Sequence, residues 1–279
     1  MKKLLSITLA LIMLLGIVGM ASAQGTRSTA IQLVNLGTSP ADITIQYYNA
    51  MDAATNPGGP KCADTVDDLA PLAGVEYNHS GTTSCIASET SWRGSIVIES
   101  TEPIAVITNI NELGQSQGGP NVYYAGGSYD GIADTKTAKD VVLPIIMYDY
   151  YTYHTDFAIQ NAGADDAQVT LHYIKSTTVP TGPGAIAAKD EGPFTVKPGS
   201  SLYRDQQKDD SDLGSTWQGV VVVESTQPVA AVVNQYPDTQ GTLLNYEGFA
   251  AGDTCIFMPF MAREFYGFST FGSVVAMED

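Results

Sequence analysis

Apolar and polar positions along this chain follow the periods of β-strands. Ile43–Tyr47 and Val169–Tyr173 alternate apolar with polar residues, the period of a sheet with one wet face. Ile96–Ile98 and Val220–Val223 are more continuously apolar, as expected of central or doubly covered strands. Pro193–Asp205 (PFTVKPGSSLYRD) reads as strand, Pro-Gly turn, strand. Beyond the N-terminal region no window combines helical periodicity with caps. The fold class is therefore all-β, and two tandem antiparallel β-sandwiches of immunoglobulin-like type are the economical arrangement.

The pattern occurs twice. Ile31–Asn49 (IQLVNLGTSPADITIQYYN) matches Phe157–Lys175 (FAIQNAGADDAQVTLHYIK), placing Asn35 on Asn161, Gly37 on Gly163 and Tyr47 on Tyr173. Trp92–Asn109 (WRGSIVIESTEPIAVITN) matches Trp217–Asn234 (WQGVVVVESTQPVAAVVN). In both, Trp and Gly lead into a strand, E-S-T-x-P reads as a tight connection, and a second strand ends in Asn. Two such blocks mark a duplication. Between them, Asp52–Ser91 is polar and cysteine-bearing, whereas its counterpart Thr178–Thr216 has no cysteine. The first of these reads as a long loop that a disulfide between Cys62 and Cys85 would staple. Gly126–Lys139 reads as a polar bridge. The expected division is residues 1–23 a signal peptide, 24–139 the first repeat, 140–254 the second, and 255–279 a C-terminal segment.

That last segment begins the pattern again. Cys255–Ala276 (CIFMPFMAREFYGFSTFGSVVA) follows Val142–Asn161 (VLPIIMYDYYTYHTDFAIQN), with Pro259 on Pro144, Met261 on Ile146, Phe265 on Tyr150, Tyr266 on Tyr151 and Thr270 on Thr155. The first repeat begins near Ser28 with no such apolar run ahead of it. A strand missing at the head and spare at the tail points to strand donation by Cys255, Ile256, Phe257, Met258, Pro259, Phe260 and Met261. Three destinations are open: the first repeat of another subunit, the chain's own first repeat, or the last strand of the second repeat. A sheet edge left open exposes backbone donors and acceptors and part of a core, which makes such a vacancy sticky.

Charge and composition narrow the function classes. Lys2 and Lys3, the apolar run Leu4–Met20 and Ala21-Ser22-Ala23 fit a secretion signal. Export permits disulfides, and three cysteines leave one, expected to be Cys255, free or paired between chains. A formal charge of -17 opposes nucleic acid and anionic membrane as partners.

Chemistry-bearing motifs are weak. Gly114-Gln115-Ser116-Gln117-Gly118 has the G-x-S-x-G form, yet the chain holds 27 glycines and offers no helix for a nucleophile elbow. His79, His154 and His172 lack the close spacing of a zinc site. Asp209, Asp210 and Asp212 lack the spaced ligands and central glycine of a calcium loop. The expectation is no enzyme, no cofactor and no metal. Tyr148, Tyr150, Tyr151 and Tyr153 form the best candidate contact surface, or else pack a corner between two strands.

The LPxxM run, the tyrosine pair and T-x-x-x-x-x-N over Leu143–Asn161, the PGSS turn at Pro198–Ser201 and ESTQPVAAVVN at Glu224–Asn234 resemble a repeated module of secreted bacterial surface proteins, especially of filamentous Chloroflexota-type bacteria. The missing first strand and spare last strand resemble, in topology, fibre subunits joined by donor-strand exchange. These resemblances imply a structural subunit of an extracellular filament, sheath or surface layer, with other copies of itself as partners, head to tail. The alternative they leave is a secreted adhesin or carbohydrate-binding protein that meets cell-surface glycans or proteins without polymerising.

Overall fold

The computed structural model describes residues 26–51, 56, 58–79, 84–114, 122–209, 211–238, 242–256, 258–259, 261, 263–264 and 272–277. The expected signal peptide, Ser116 of the Gly-rich motif, Asp210, Phe257, Phe260, Phe265 and Tyr266 lie outside these residues.

Among the described residues fourteen strands follow one another: β1 (Thr26–Asn35), β2 (Ala41–Asn49), β3 (Cys62–Leu69), β4 (Gly74–Asn78), β5 (Gly94–Ser100), β6 (Ile104–Gly114), β7 (Val122–Asp130), β8 (Ala138–Tyr148), β9 (Tyr153–Asn161), β10 (Ala167–Lys175), β11 (Ala188–Val196), β12 (Ser201–Asp205), β13 (Trp217–Pro237) and β14 (Leu244–Glu247). All pairings are antiparallel. The first repeat forms a four-stranded sheet, β4-β1-β6-β7, and a three-stranded sheet, β3-β2-β5. The second repeat forms one seven-stranded sheet, curled into a half-barrel around the long β13. The N-terminal half of β13 pairs with β10 and β8, and its C-terminal half pairs with β9 and β14.

The repeated sequence signals have one physical cause in each repeat. Asn35 donates from Nδ2 to the Ser39 and Leu69 carbonyls, both at 2.8 Å, and accepts from the Gly37 N–H at 2.8 Å. Asn161 does the same toward Asp165 (2.8 Å), Val196 (2.9 Å) and Gly163 (2.8 Å). Each buried Asn thus satisfies a turn whose backbone would otherwise lack partners. A Cβ on Gly37 would sit 2.8 Å from the Glu102 Cβ, and one on Gly163 2.8 Å from the Gln227 Cβ. Glycine is needed there because the E-S-T-x-P corner presses on the turn.

Apolar positions fill two cores. One gathers Leu33, Ile43, Ile45 and Tyr47 of the first repeat, and the other gathers Leu143, Phe157, Tyr173 and Trp217 of the second. A smaller cluster of Ile110, Tyr236 and Leu243 joins the repeats.

Three elements depart from the sequence reading. The Asp52–Ser91 region is not simply a loop, since it contains β3 and β4. The inward positions of β3 include Cys62 and Asp64, so its alternation is hidden, and Asp68 at φ 53 accompanies a register shift. The bridge Gly126–Lys139 begins inside β7, where Gly126 and Gly127 are strand residues. A Cβ on Gly127 would strike the Asn245 side chain, so glycine serves close packing beside β14. The second E-S-T-x-P segment does not interrupt its strand. There β8 bridges the corner, with Asp140 opposite Glu224 and Ala138 opposite Val229. Cys62 and Cys85 form the disulfide, and Cys255 is free and exposed.

Candidate functional site

Among the described residues, the two repeats share every strand but one. In the second, β8 runs antiparallel to β13 with Tyr148 opposite Trp217, Ile146 opposite Gly219, Leu143 opposite Val221 and Val141 opposite Val223. Pro144 lies where this register shifts, a position that tolerates proline because the ladder is already interrupted. Val141, Leu143 and Ile146 are buried. In the first repeat, β5 corresponds to this half of β13, and among the described residues its sole strand partner is β2.

The edge of β5 without a strand borders a cavity of about 650 Å³. Trp92, Ile96 and Ile98 line it, together with Ile104 and Val106 of β6, residues 131–134 and Lys136 of the linker, and Gln160 and Ala230 of the second repeat. Trp217, Val221, Val223 and Val229 are fully buried, whereas their counterparts Trp92, Ile96, Ile98 and Ile104 are only half-buried. Part of the edge is capped by polar groups of the second repeat. Gln160 donates from Nε2 to the Ile96 carbonyl (3.2 Å) and to the Gly199 carbonyl (3.0 Å), and the Ser95 hydroxyl donates to Gly199 (2.6 Å).

The described residues of the segment expected to be a donor strand, Cys255, Ile256, Met258, Pro259 and Met261, lie in no strand of this single chain. Ile256, Met258 and Met261 are 66%, 52% and 58% exposed, although they match the buried Val141, Leu143 and Ile146. Pro259 and Cys255 are exposed too. The chain leaves the second repeat beside β8, where Phe249 and Val142 exchange backbone hydrogen bonds of 2.9 Å, and Ser273 later donates to the Pro144 carbonyl at 3.0 Å. Glu264 has φ 53 and its match Asp149 has φ 47, so these two matched residues share a left-handed backbone conformation.

The tyrosines divide. Tyr148, Tyr150 and Tyr153 are half-buried, while Tyr151 is 77% exposed. Tyr150 and Tyr153 close a tight turn with reciprocal 3.0 Å backbone bonds, and Tyr151 and Thr152 hold positive φ of 51 and 66. Next to this corner Asp149, His154 and Asp238 converge. The His154 Nδ1 accepts from the Asp149 N–H (3.3 Å), so Nε2 carries the proton and donates to Asp238 (2.9 Å). A metal on Nε2 would move that proton to Nδ1, against an N–H donor, so the cluster is better suited to fixing the corner than to holding a cation.

His172 bonds Asp190 (2.8 Å) and Glu224 (3.2 Å) on the solvated face of β10, and Asp212 pairs with Lys189 (2.7 Å). The sequence reading missed the contacts between repeats. Arg27 pairs with the buried Asp156 and stacks on the Tyr236 ring at 4.7 Å. Burial pushes the Asp156 carboxyl up, against the pull of Arg27 and a hydrogen bond from Asn234. The available signal was an acid at an inward position of β9 whose counterpart is Ala30.

No protein-family model matches this chain, and no curated protein matches it.

Proposed function

We propose that the protein is a structural subunit of an extracellular filament, sheath or surface layer, polymerising head to tail by β-strand complementation. The open edge of β5 takes Cys255–Met261 of another copy and completes an immunoglobulin-like sandwich. The observation that carries this reading is the mismatch of partners. A half-buried apolar row on β5 lacks the strand that covers its counterpart on β13, while a segment with that strand's pattern stands exposed.

The energetics are compatible with association. Burying Ile256, Met258 and Met261 contributes about 1.5–3 kcal/mol each. Ordering the backbone costs about 1–2 kcal/mol per residue. Ladder hydrogen bonds add roughly 0.5–1.5 kcal/mol each and offset part of that cost. A donor at one end and an acceptor at the other make a heterologous contact that does not close, the geometry of a filament. β1 already holds the place matched by residues beyond Gly267, so the donated part is the portion ending at Met261.

Electron microscopy of the purified secreted protein tests the reading. Fibres are expected from the full chain, and dispersed, folded particles after deletion of residues 255–279 or with Met258→Asp. Fibres of unchanged length from the deleted chain would eliminate the tail as the joint. A second reading, a non-polymerising adhesin or carbohydrate-binding protein, draws on Tyr151, an exposed aromatic on a rigid corner. It requires glycan binding by single particles that Tyr151→Ala removes.

A further inference from the structure

Resting on the assembly reading, we infer that the incoming segment from a second copy takes the β8 register on β5, and that Gln160 is a placeholder for its backbone. The sequence match fixes the pairing. Cys255 falls opposite Glu99, Ile256 opposite Ile98, Met258 opposite Ile96 and Met261 opposite Gly94, with Pro259 in the same register shift as Pro144.

Gln160 identifies which backbone groups await a partner. It donates to the Ile96 carbonyl, so that carbonyl points away from β2. Antiparallel alternation then aims the polar groups of Gly94, Ile96 and Ile98 at the open edge, and those of Val97 and Glu99 at β2. The N–H of an incoming Met258 would meet the Ile96 carbonyl now held by Gln160. The side-chain amide therefore occupies one rung of the missing ladder and keeps the acceptor of a half-buried residue satisfied until a strand arrives.

The same alternation makes Glu99 and Cys255 a non-hydrogen-bonded pair, whose Cα atoms lie about 4.5 Å apart. That separation falls within the range a disulfide spans. Glu99 and Cys255 are both exposed, and the Cys255 thiol is free.

The test mixes two chains under mild oxidation. One carries Glu99→Cys with Cys255→Ser, and the other is unaltered and bears a size tag. A disulfide-linked heterodimer on a non-reducing gel is expected, and it should vanish when the tagged chain carries Cys255→Ser. Cross-linking through Val97→Cys in place of Glu99→Cys overturns the register but leaves strand complementation standing. Fibres without a cross-link at either position do the same. A bond that forms only within single chains carrying Glu99→Cys and native Cys255 overturns the second copy as partner. Absence of both cross-link and fibres removes the assembly reading together with this inference. Gln160→Ala should shorten the lag of fibre growth several-fold, and an unchanged or longer lag overturns the placeholder role.

Discussion

Trp92 and Trp217 hold matched places and meet different surroundings. Trp217 is fully buried and donates to the Ile186 carbonyl at 3.0 Å. Trp92 is half-buried and donates to the Asn49 side chain, also at 3.0 Å. Beside each, glycine is required: a Cβ on Gly94 would lie 2.0 Å from the Tyr48 carbonyl oxygen, and one on Gly219 2.2 Å from that of Ile174. Local sequence therefore folds both Trp-x-Gly corners alike. What separates them is β8, a strand distant in the chain that covers one and, among the described residues, has no counterpart over the other. Burial of an aromatic anchor here depends on a nonlocal partner, while its conformation depends on its neighbours.

The sharpest way to break this comparison is to truncate both anchors in the chain lacking residues 255–279 and follow urea unfolding. Trp217→Ala should cost about 3–5 kcal/mol, the usual range for emptying a packed aromatic site. Trp92→Ala should cost less than half as much, and equal losses would mean that β8 is not what distinguishes the repeats. Next in size is the disulfide. Cys62 and Cys85 are separated by 23 residues, and removing such a cross-link destabilises by about 3 kcal/mol on chain-entropy grounds. With Cys62→Ser and Cys85→Ser together, the loss should appear in hydrogen exchange of β2, β3 and β5 and spare β9, β10 and β13.

The smallest expected effect is a divergence with pH. His79 has its pKa lowered, chiefly by burial and against the pull of Asp64. Its folded form binds fewer protons, so its contribution is present above about pH 6.5 and is lost as the pH falls below that. His172 has its pKa raised, chiefly by its hydrogen bond to Asp190, with Glu224 adding and burial opposing. Its contribution is present below about pH 6.5 and is lost as the pH rises through the folded value. Because His172 is largely solvated, that contribution is small. Acidification from pH 7.5 to 6 should weaken the first repeat and slightly strengthen the second, as read by hydrogen exchange in each. His79→Gln and His172→Gln should each remove one side of the divergence, and parallel responses in both repeats would refute it.

Much of the architecture was legible because duplication prints a pattern twice. Asn35 and Asn161 and Gly37 and Gly163 stand out by recurrence, and each proves to hold a turn, whereas E-S-T-x-P, read as a tight connection in both repeats, separates two strands only in the first. The disulfide was legible because two cysteines bracket one polar stretch. β3 was hidden because Cys62 and Asp64 occupy inward positions that a search for Val or Ile passes over. β7 was hidden because Gly126 and Gly127 read as linker, although glycine there admits Asn245. At the candidate site, the sequence announced a strand absent from the first repeat. It did not announce Gln160 on the Ile96 carbonyl, since that contact spans the two repeats and no local pattern encodes it.

The long strand β13 has a consequence for how the molecule opens. Its 21 residues belong to both halves of the curled sheet, and β8 grips it on either side of the corner. Loosening one half strips partners from the other, so amide protons across the second repeat are released together, as one cooperative unit. In the first repeat the same length of chain is divided between β5 and β6, which sit in separate sheets. Among the described residues no single strand ties β3-β2-β5 to β4-β1-β6-β7, so hydrogen exchange is expected to release the sheet that carries the open β5 edge first.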